Sequence, residues 1–111
     1  MLGSTPSFWL GRRGQVVPFL AFPLLTCPEV SATTYILARK TASGKIEALA
    51  VGRVEHAASS LNLAALRHHA ASIGAQYVHV LIRPADARQR RRIERDLKTS
   101  ATAIQPASND D

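Results

Sequence analysis

The most chemically loaded stretch of the chain is Arg83–Lys98, RPADARQRRRIERDLK, with seven basic residues against three acidic ones. Four of the six net positive charges of the whole chain therefore sit here. At 100° per residue on a helix, Arg88, Arg91, Arg92 and Arg95 fall on one face, and Ile93 and Leu97 fall on the opposite one. Guanidinium forks bind phosphate oxygens in pairs, so a helix with an arginine face and an apolar back suits a polyanion. A solvated charged face has the same pattern, and both readings stay open. Glu94 lies beside Leu97, at the border of the apolar face. A carboxylate there could line a pocket and hold a divalent cation, or pair with Lys98 at i+4.

The other candidate ligands and nucleophiles are scattered. The histidines are His56, His68, His69 and His79, and Cys27 is the single cysteine. None shows C-x-x-C or H-x-x-x-H spacing, and adjacent His68 and His69 point about 100° apart on a helix. Zinc ligation is not expected from such spacing, and no Ser–His–acid or Cys–His arrangement or glycine-rich phosphate loop can be recognised. One cysteine excludes an intrachain disulfide, which fits a reducing compartment.

The chain that must position these groups has 111 residues, enough for one domain with a single modest core. A hydrophobic content of 46% and a charged content of 20% describe a globular chain. The formal charge of +6 and a pI near 10.5 point to polyanions, of which nucleic acid is the commonest. Arg12-Arg13 precedes the apolar run Val16–Leu25, but Pro18 and Pro23 interrupt it and it is too short to span a bilayer. No membrane association is expected, and the cytoplasm is the expected compartment.

Residues 1–14, rich in Gly, Ser and Pro, read as a flexible arm. Gln15–Phe22 is a strand candidate, with Pro18 suggesting an edge position. Thr33–Gly52 reads as a β-hairpin. Tyr35–Ala38 is apolar without alternation, Arg39 and Lys40 bring the strand out to solvent, Ser43-Gly44 supplies the turn, and Ala48–Val51 returns. Glu55–Ile73 predicts a helix capped by Gly74, with Leu63, Leu66, Ala70 and Ile73 at helical spacing. Gln76–Ile82 predicts a strand. Pro84 opens a second helix that reaches Ala101, and the tail 106–111 is polar, acidic and expected to be disordered. The order β, ββ, α, β, α defines a small α/β (α+β) domain over 15–105, with a mixed or antiparallel sheet of three to four strands flanked by two main helices.

This hairpin, helix, strand and basic helix together resemble the GIY-YIG nuclease superfamily, and more closely its small bacterial single-domain members. Thr33-Thr34-Tyr35 stands where the first signature triplet lies, followed by Ile36–Lys40, and Ala50-Val51-Gly52 stands at the second. Pro18-Phe19, Phe22-Pro23-Leu24 and Thr26 are similar to the lead-in strand, Gly74-Ala75 and Val78-His79-Val80 to the third strand. Ile93-Glu94-Arg95-Asp96-Leu97 is similar to the motif with the metal-binding glutamate. The match runs from about Gln15 to Pro106.

The resemblance implies a site in which a tyrosine from each triplet, an arginine on the first helix and a glutamate on the later one surround a divalent cation. A metal and a positive side chain suit phosphodiester hydrolysis, because negative charge builds on the phosphorus oxygens in the transition state. Of these groups Tyr35 and Glu94 are present. Ala50 stands at the second tyrosine, and Ser60 stands about two turns after Gly52, where the arginine is expected. The nearest basic residues are Arg53 and Arg67. The expected function is therefore a GIY-YIG-like domain with a degenerate site, its Tyr35 and Glu94 vestigial, which binds nucleic acid without a metal. Arg39, Lys40, Arg88, Arg91, Arg92 and Arg95 are the expected contacts. Two alternatives stand beside it. One is an active Mg²⁺- or Mn²⁺-dependent endonuclease with a rearranged site, in which Glu94 holds the metal. The other is a protein-interaction module whose basic helix meets an acidic partner.

Overall fold

Thr33–Ala38 is buried without a break, as an inner strand covered on both faces must be. It belongs to β3 (Thr33–Lys40), which pairs antiparallel with β4 (Ile46–Val54) on one side and β5 (Tyr77–Leu81) on the other. The computed structural model describes residues 5–82 and 86–104. Its remaining elements are β1 (Thr5–Leu10), β2 (Val16–Pro23), a 3₁₀ turn (Leu24–Thr26), α1 (Ser59–Ile73), α2 (Ala87–Thr99) and β6 (Thr102–Ile104). The strands form one sheet in the order β4-β3-β5-β2-β1-β6, with every pair antiparallel. The protein is thus mixed α+β, with a curled antiparallel sheet and two main helices.

The alternation of side chains along β3 divides the core in two. Tyr35 and Leu37 face α1 with Val54, Leu66, Ala70 and Val78. Ile36 and Ala38 face the other way, toward Trp9, Val17, Phe19, Val51, Leu81 and Leu97. This second face curls around α2, and Ala48 of β4 and Ala103 of β6 pack against the same cluster.

The sheet is wider than three to four strands because two segments of weak strand character join it. Thr5–Leu10, expected as part of a flexible arm, is β1: it pairs with β2 over its whole length and seats Trp9 fully buried in the core. The second helix does not run to Ala101. It ends at Thr99, and Thr102–Ile104 turns back as β6 to pair with Phe8–Leu10. α1 starts at Ser59 rather than Glu55: buried Asn62 takes up the backbone of His56 on both sides, accepting from its N–H (2.9 Å) and donating to its carbonyl (3.2 Å), so that segment stays outside the helix.

Pro18 lies in an inner strand, not at an edge. Its carbonyl accepts from Ile82 N at 3.3 Å, so its missing N–H points to the same side, just beyond Leu81 where β5 has ended. The expected first-turn Pro84 and the tail 106–111 lie outside the described residues.

Candidate functional site

α2 begins with a reciprocal cap. Asp86 Oδ1 accepts from Gln89 N at 2.8 Å, and Gln89 Oε1 accepts from Asp86 N at 3.2 Å. The helix then presents the arrangement expected from its spacing. Leu97 is buried and Ile93 half-buried against the sheet, while Arg88, Arg91, Arg92 and Arg95 are exposed.

Two carboxylates on the borders of the buried stripe fasten α2 to opposite ends of the sheet. On one border, Asp96 Oδ2 accepts from Arg13 Nη2 (2.8 Å), Arg13 Nε (3.2 Å) and Gln15 Nε2 (2.7 Å). Burial opposes ionisation of Asp96, but these donors and the Arg12 charge outweigh it and hold the carboxyl below its ordinary range. On the other border, Glu94 Oε1 accepts from Arg53 Nε, and Glu94 Oε2 is paired with Lys98 Nζ at 2.9 Å. Burial works against this charge too, and the hydrogen bonds from Lys98 and Arg53 overcome it, leaving Glu94 ionised. The i+4 pairing with Lys98 is therefore formed, and Arg53 completes it.

The Asp96 anchor has a consequence for the arginine face. It draws in the β1–β2 turn, Gly11-Arg12-Arg13-Gly14, in which Gly14 takes φ +81° as a tight turn requires. Arg12, Arg13, Arg88, Arg91, Arg92, Arg95 and Asp96 then line one cleft of about 550 Å³. Arg13 is neutralised by Asp96, and the other five guanidinium groups surround the opening. The sequence offered a signal for this, a basic pair between two glycines joining two uncharged strands. Arg12-Arg13 drew attention only as a targeting motif, and the contact with α2 is tertiary.

Arg39 and Lys40 lie elsewhere, at the end of β3 remote from Thr34, whose hydroxyl donates to Arg90 O on α2 (3.1 Å). Arg39 is paired with Glu47 across the hairpin at 2.9 Å, and Lys40 is exposed.

Tyr35 occupies a separate position. Its ring lies on Gly52, the cross-strand partner in β4, and a Cβ at residue 52 would stand 2.7 Å from Tyr35 Oη. The phenol shares a hydrogen bond of 2.9 Å with His69 Nδ1 on α1. Burial raises the phenol pKa, and the negative charge of Glu94 raises it further. Tyr35 and Glu94 thus sense one another electrostatically, while their hydrogen bonds go to different partners. Ala50 offers only a methyl group on Tyr35's side of the sheet, paired with Leu37. Arg67 donates to the carbonyls of Leu25 (3.4 Å) and Cys27 (3.3 Å), and Ser60 is exposed at the start of α1. His69 was not singled out by spacing, because its partner is distant in sequence.

Among the described residues no group of three or more His, Cys, Asp or Glu is placed to hold a metal ion, and no helix is long and apolar enough to cross a membrane. No protein-family model matches the chain, and no curated protein or solved structure matches it.

Proposed function

We propose that the chain is a cytoplasmic nucleic-acid-binding module that grips the phosphate backbone in the cleft between α2 and the β1–β2 turn. The observation that carries this is the convergence of six arginines from two separate elements on one cleft. A solvated charged face needs only the helix. The Asp96 anchor instead holds Arg13 and its neighbour Arg12 opposite the helical stripe, so the cationic side chains are gathered before a ligand arrives. All the lining residues are Arg or Asp, with no aromatic platform for a base and no amide to read one. Such a cleft favours phosphate contacts and sequence-independent binding.

The resemblance to the GIY-YIG superfamily supplies the background. Tyr35 and Glu94 stand at two of the family's site positions, and Ala50 and Ser60 stand where a tyrosine and an arginine are expected. Removing either kind of group typically costs about 10²–10³ in rate. Both oxygens of Glu94 are engaged by Arg53 and Lys98, so a divalent cation there would have to displace two cations. Binding without cleavage is the better-supported activity.

Fluorescence polarisation of labelled duplexes and single strands at low ionic strength tests the proposal. Two duplexes of unrelated sequence are expected to bind with closely similar affinity. Absence of binding at low salt would refute it, and co-purification of an acidic protein that survives nuclease treatment would favour the protein-interaction alternative.

A further inference from the structure

Several arginines are engaged within the fold: Arg13, Arg39 and Arg53 are ion-paired, and Arg67 donates to two backbone carbonyls. Arg12, Arg88, Arg91, Arg92 and Arg95 are different. None of the five is in ion-pair contact with a carboxylate among the described residues, and all five line the cleft between α2 and the β1–β2 turn. Like charges repel, so these guanidinium groups raise the free energy of the empty cleft. The bonds from Arg13 and Gln15 to Asp96 hold its two walls together against that repulsion. Six arginines and one aspartate leave the lining with a net charge of +5.

The cleft volume of about 550 Å³ is that of a small-molecule site and corresponds to a space about 8 Å across. Arg88, Arg91, Arg92 and Arg95 form one wall over two turns of α2, about 10 Å, and Arg12 and Arg13 form the other. A nucleic-acid duplex is far too wide to enter. It meets these side chains where they fan outward along its backbone, one phosphate to each, because a sugar separates successive phosphates. Linked phosphates share a single bridging oxygen. Three of them bring about four negative charges into a space that backbone phosphates fill with far less charge. A net +5 gathered within one small cleft is matched by charge of that density.

Resting on the reading of this cleft as a phosphate site, we propose that its preferred occupant is a chain of three or more linked phosphates. Such a chain is carried by the 5′-triphosphate end of an RNA, or by a free nucleoside triphosphate or inorganic polyphosphate. The arginines of α2 grip it from one wall and Arg12 from the other, with paired N–H donors to its non-bridging oxygens. The single carboxylate of the lining, Asp96, is held by Arg13 and Gln15, so its charge is offset where the anion enters. With no ring to stack a base and no amide to read one, adenine and guanine nucleotides are bound alike.

Competition against a labelled duplex, with the full chain in EDTA at constant ionic strength, tests this. ATP and a thymidine pentanucleotide without terminal phosphates carry the same charge, about −4, clustered in one and spread out in the other. ATP, GTP and inorganic tripolyphosphate are each expected to displace the duplex at concentrations about ten-fold or more below the pentanucleotide. Each should also raise the melting temperature of the protein alone by several degrees, a readout that needs no duplex. Arg12→Gln on one wall and Arg91→Gln/Arg95→Gln on the other should each weaken tripolyphosphate binding by about ten-fold or more. Lys40→Gln/Lys45→Gln, at exposed positions outside the cleft, should leave it unchanged. Circular dichroism checks that each variant is folded. One RNA sequence with a 5′-triphosphate or a 5′-hydroxyl end distinguishes the sources. A triphosphate end that binds tighter than both the hydroxyl end and ATP assigns the cleft to RNA ends, and one no better than ATP assigns it to free polyphosphates. ATP that competes no better than the pentanucleotide, or tripolyphosphate binding indifferent to the variants on both walls, overturns the proposal; duplex binding that persists then leaves the backbone-binding function standing. Melting-temperature shifts with tripolyphosphate but no duplex binding would do the reverse, sustaining the polyphosphate site and refuting the nucleic-acid-binding function.

Discussion

His79 gives the protein a pH dependence whose sign and size follow from its surroundings. The imidazole is buried on β5, where its Nδ1 accepts from Trp9 Nε1 (3.1 Å) and from Ser7 Oγ (2.8 Å). Indole N–H only donates, so Nδ1 carries no proton and the ring is the neutral Nε2–H tautomer. Burial lowers its pKa from 6.5 to about 4. Above pH 6.5 both folded and unfolded chains hold a neutral ring, and no stability is lost. As the pH falls below 6.5 the unfolded chain takes up a proton that the folded chain refuses, so stability falls until the folded ring titrates near 4. That difference amounts to about 2 kcal/mol between pH 7 and pH 5, and it approaches about 3 kcal/mol in the limit. For a domain of this size it lowers the melting temperature by roughly 10 °C. Urea unfolding at neutral pH and near pH 5 measures it, above the window in which Asp96 and Glu94 protonate. His79→Gln keeps an acceptor for Trp9 and Ser7 but does not titrate, and should flatten the profile. A wild-type profile that is flat over this range, or an equal drop in His79→Gln, would refute the reasoning.

Three further outcomes are expected. Gly52→Ala puts a methyl carbon 2.7 Å from Tyr35 Oη and displaces the ring from His69, at about 1–3 kcal/mol of stability by denaturant unfolding, against about 1 kcal/mol for Tyr35→Phe. Asp96→Asn weakens the anchor that holds Arg13 and the β1–β2 turn against α2, so the cleft is no longer gathered in advance and in polarisation titrations the affinity for duplex DNA should fall several-fold. Plasmid DNA incubated with protein and Mg²⁺ or Mn²⁺ should show no cleavage that Glu94→Ala abolishes, and metal chelation should leave binding unchanged.

What was legible in the sequence was whatever local pattern decides. The uninterrupted apolar run Tyr35–Ala38 marked a strand with two covered faces, and the arginines of α2 declared their exposed stripe by spacing alone. β1 and β6 were hidden because neither is a strand by propensity. TPSFWL contains Pro and Ser, and TAI is three residues long; each is held by its neighbour and by the burial of Trp9. Pro18 misled because the edge rule concerns the N–H of one residue, and β5 stops where that N–H would point. The same limit applied to the site. Two of the six arginines of the cleft come from a turn more than seventy residues away in sequence, brought there by Asp96 and Gln15, and Tyr35's hydrogen bond to His69 crosses from sheet to helix.

The measurement that bears most directly on the arginine cleft is the salt dependence of duplex binding, compared between wild type and Arg91→Gln/Arg95→Gln. Five guanidinium groups free to meet phosphates predict a plot of log K against log salt with a slope of about −4, reduced in magnitude by roughly 2 in the double variant. Arg39→Gln, outside the cleft, should leave the slope unchanged. A slope near zero, or one that the double variant shares with the wild type, would contradict the assignment of the cleft as the binding site.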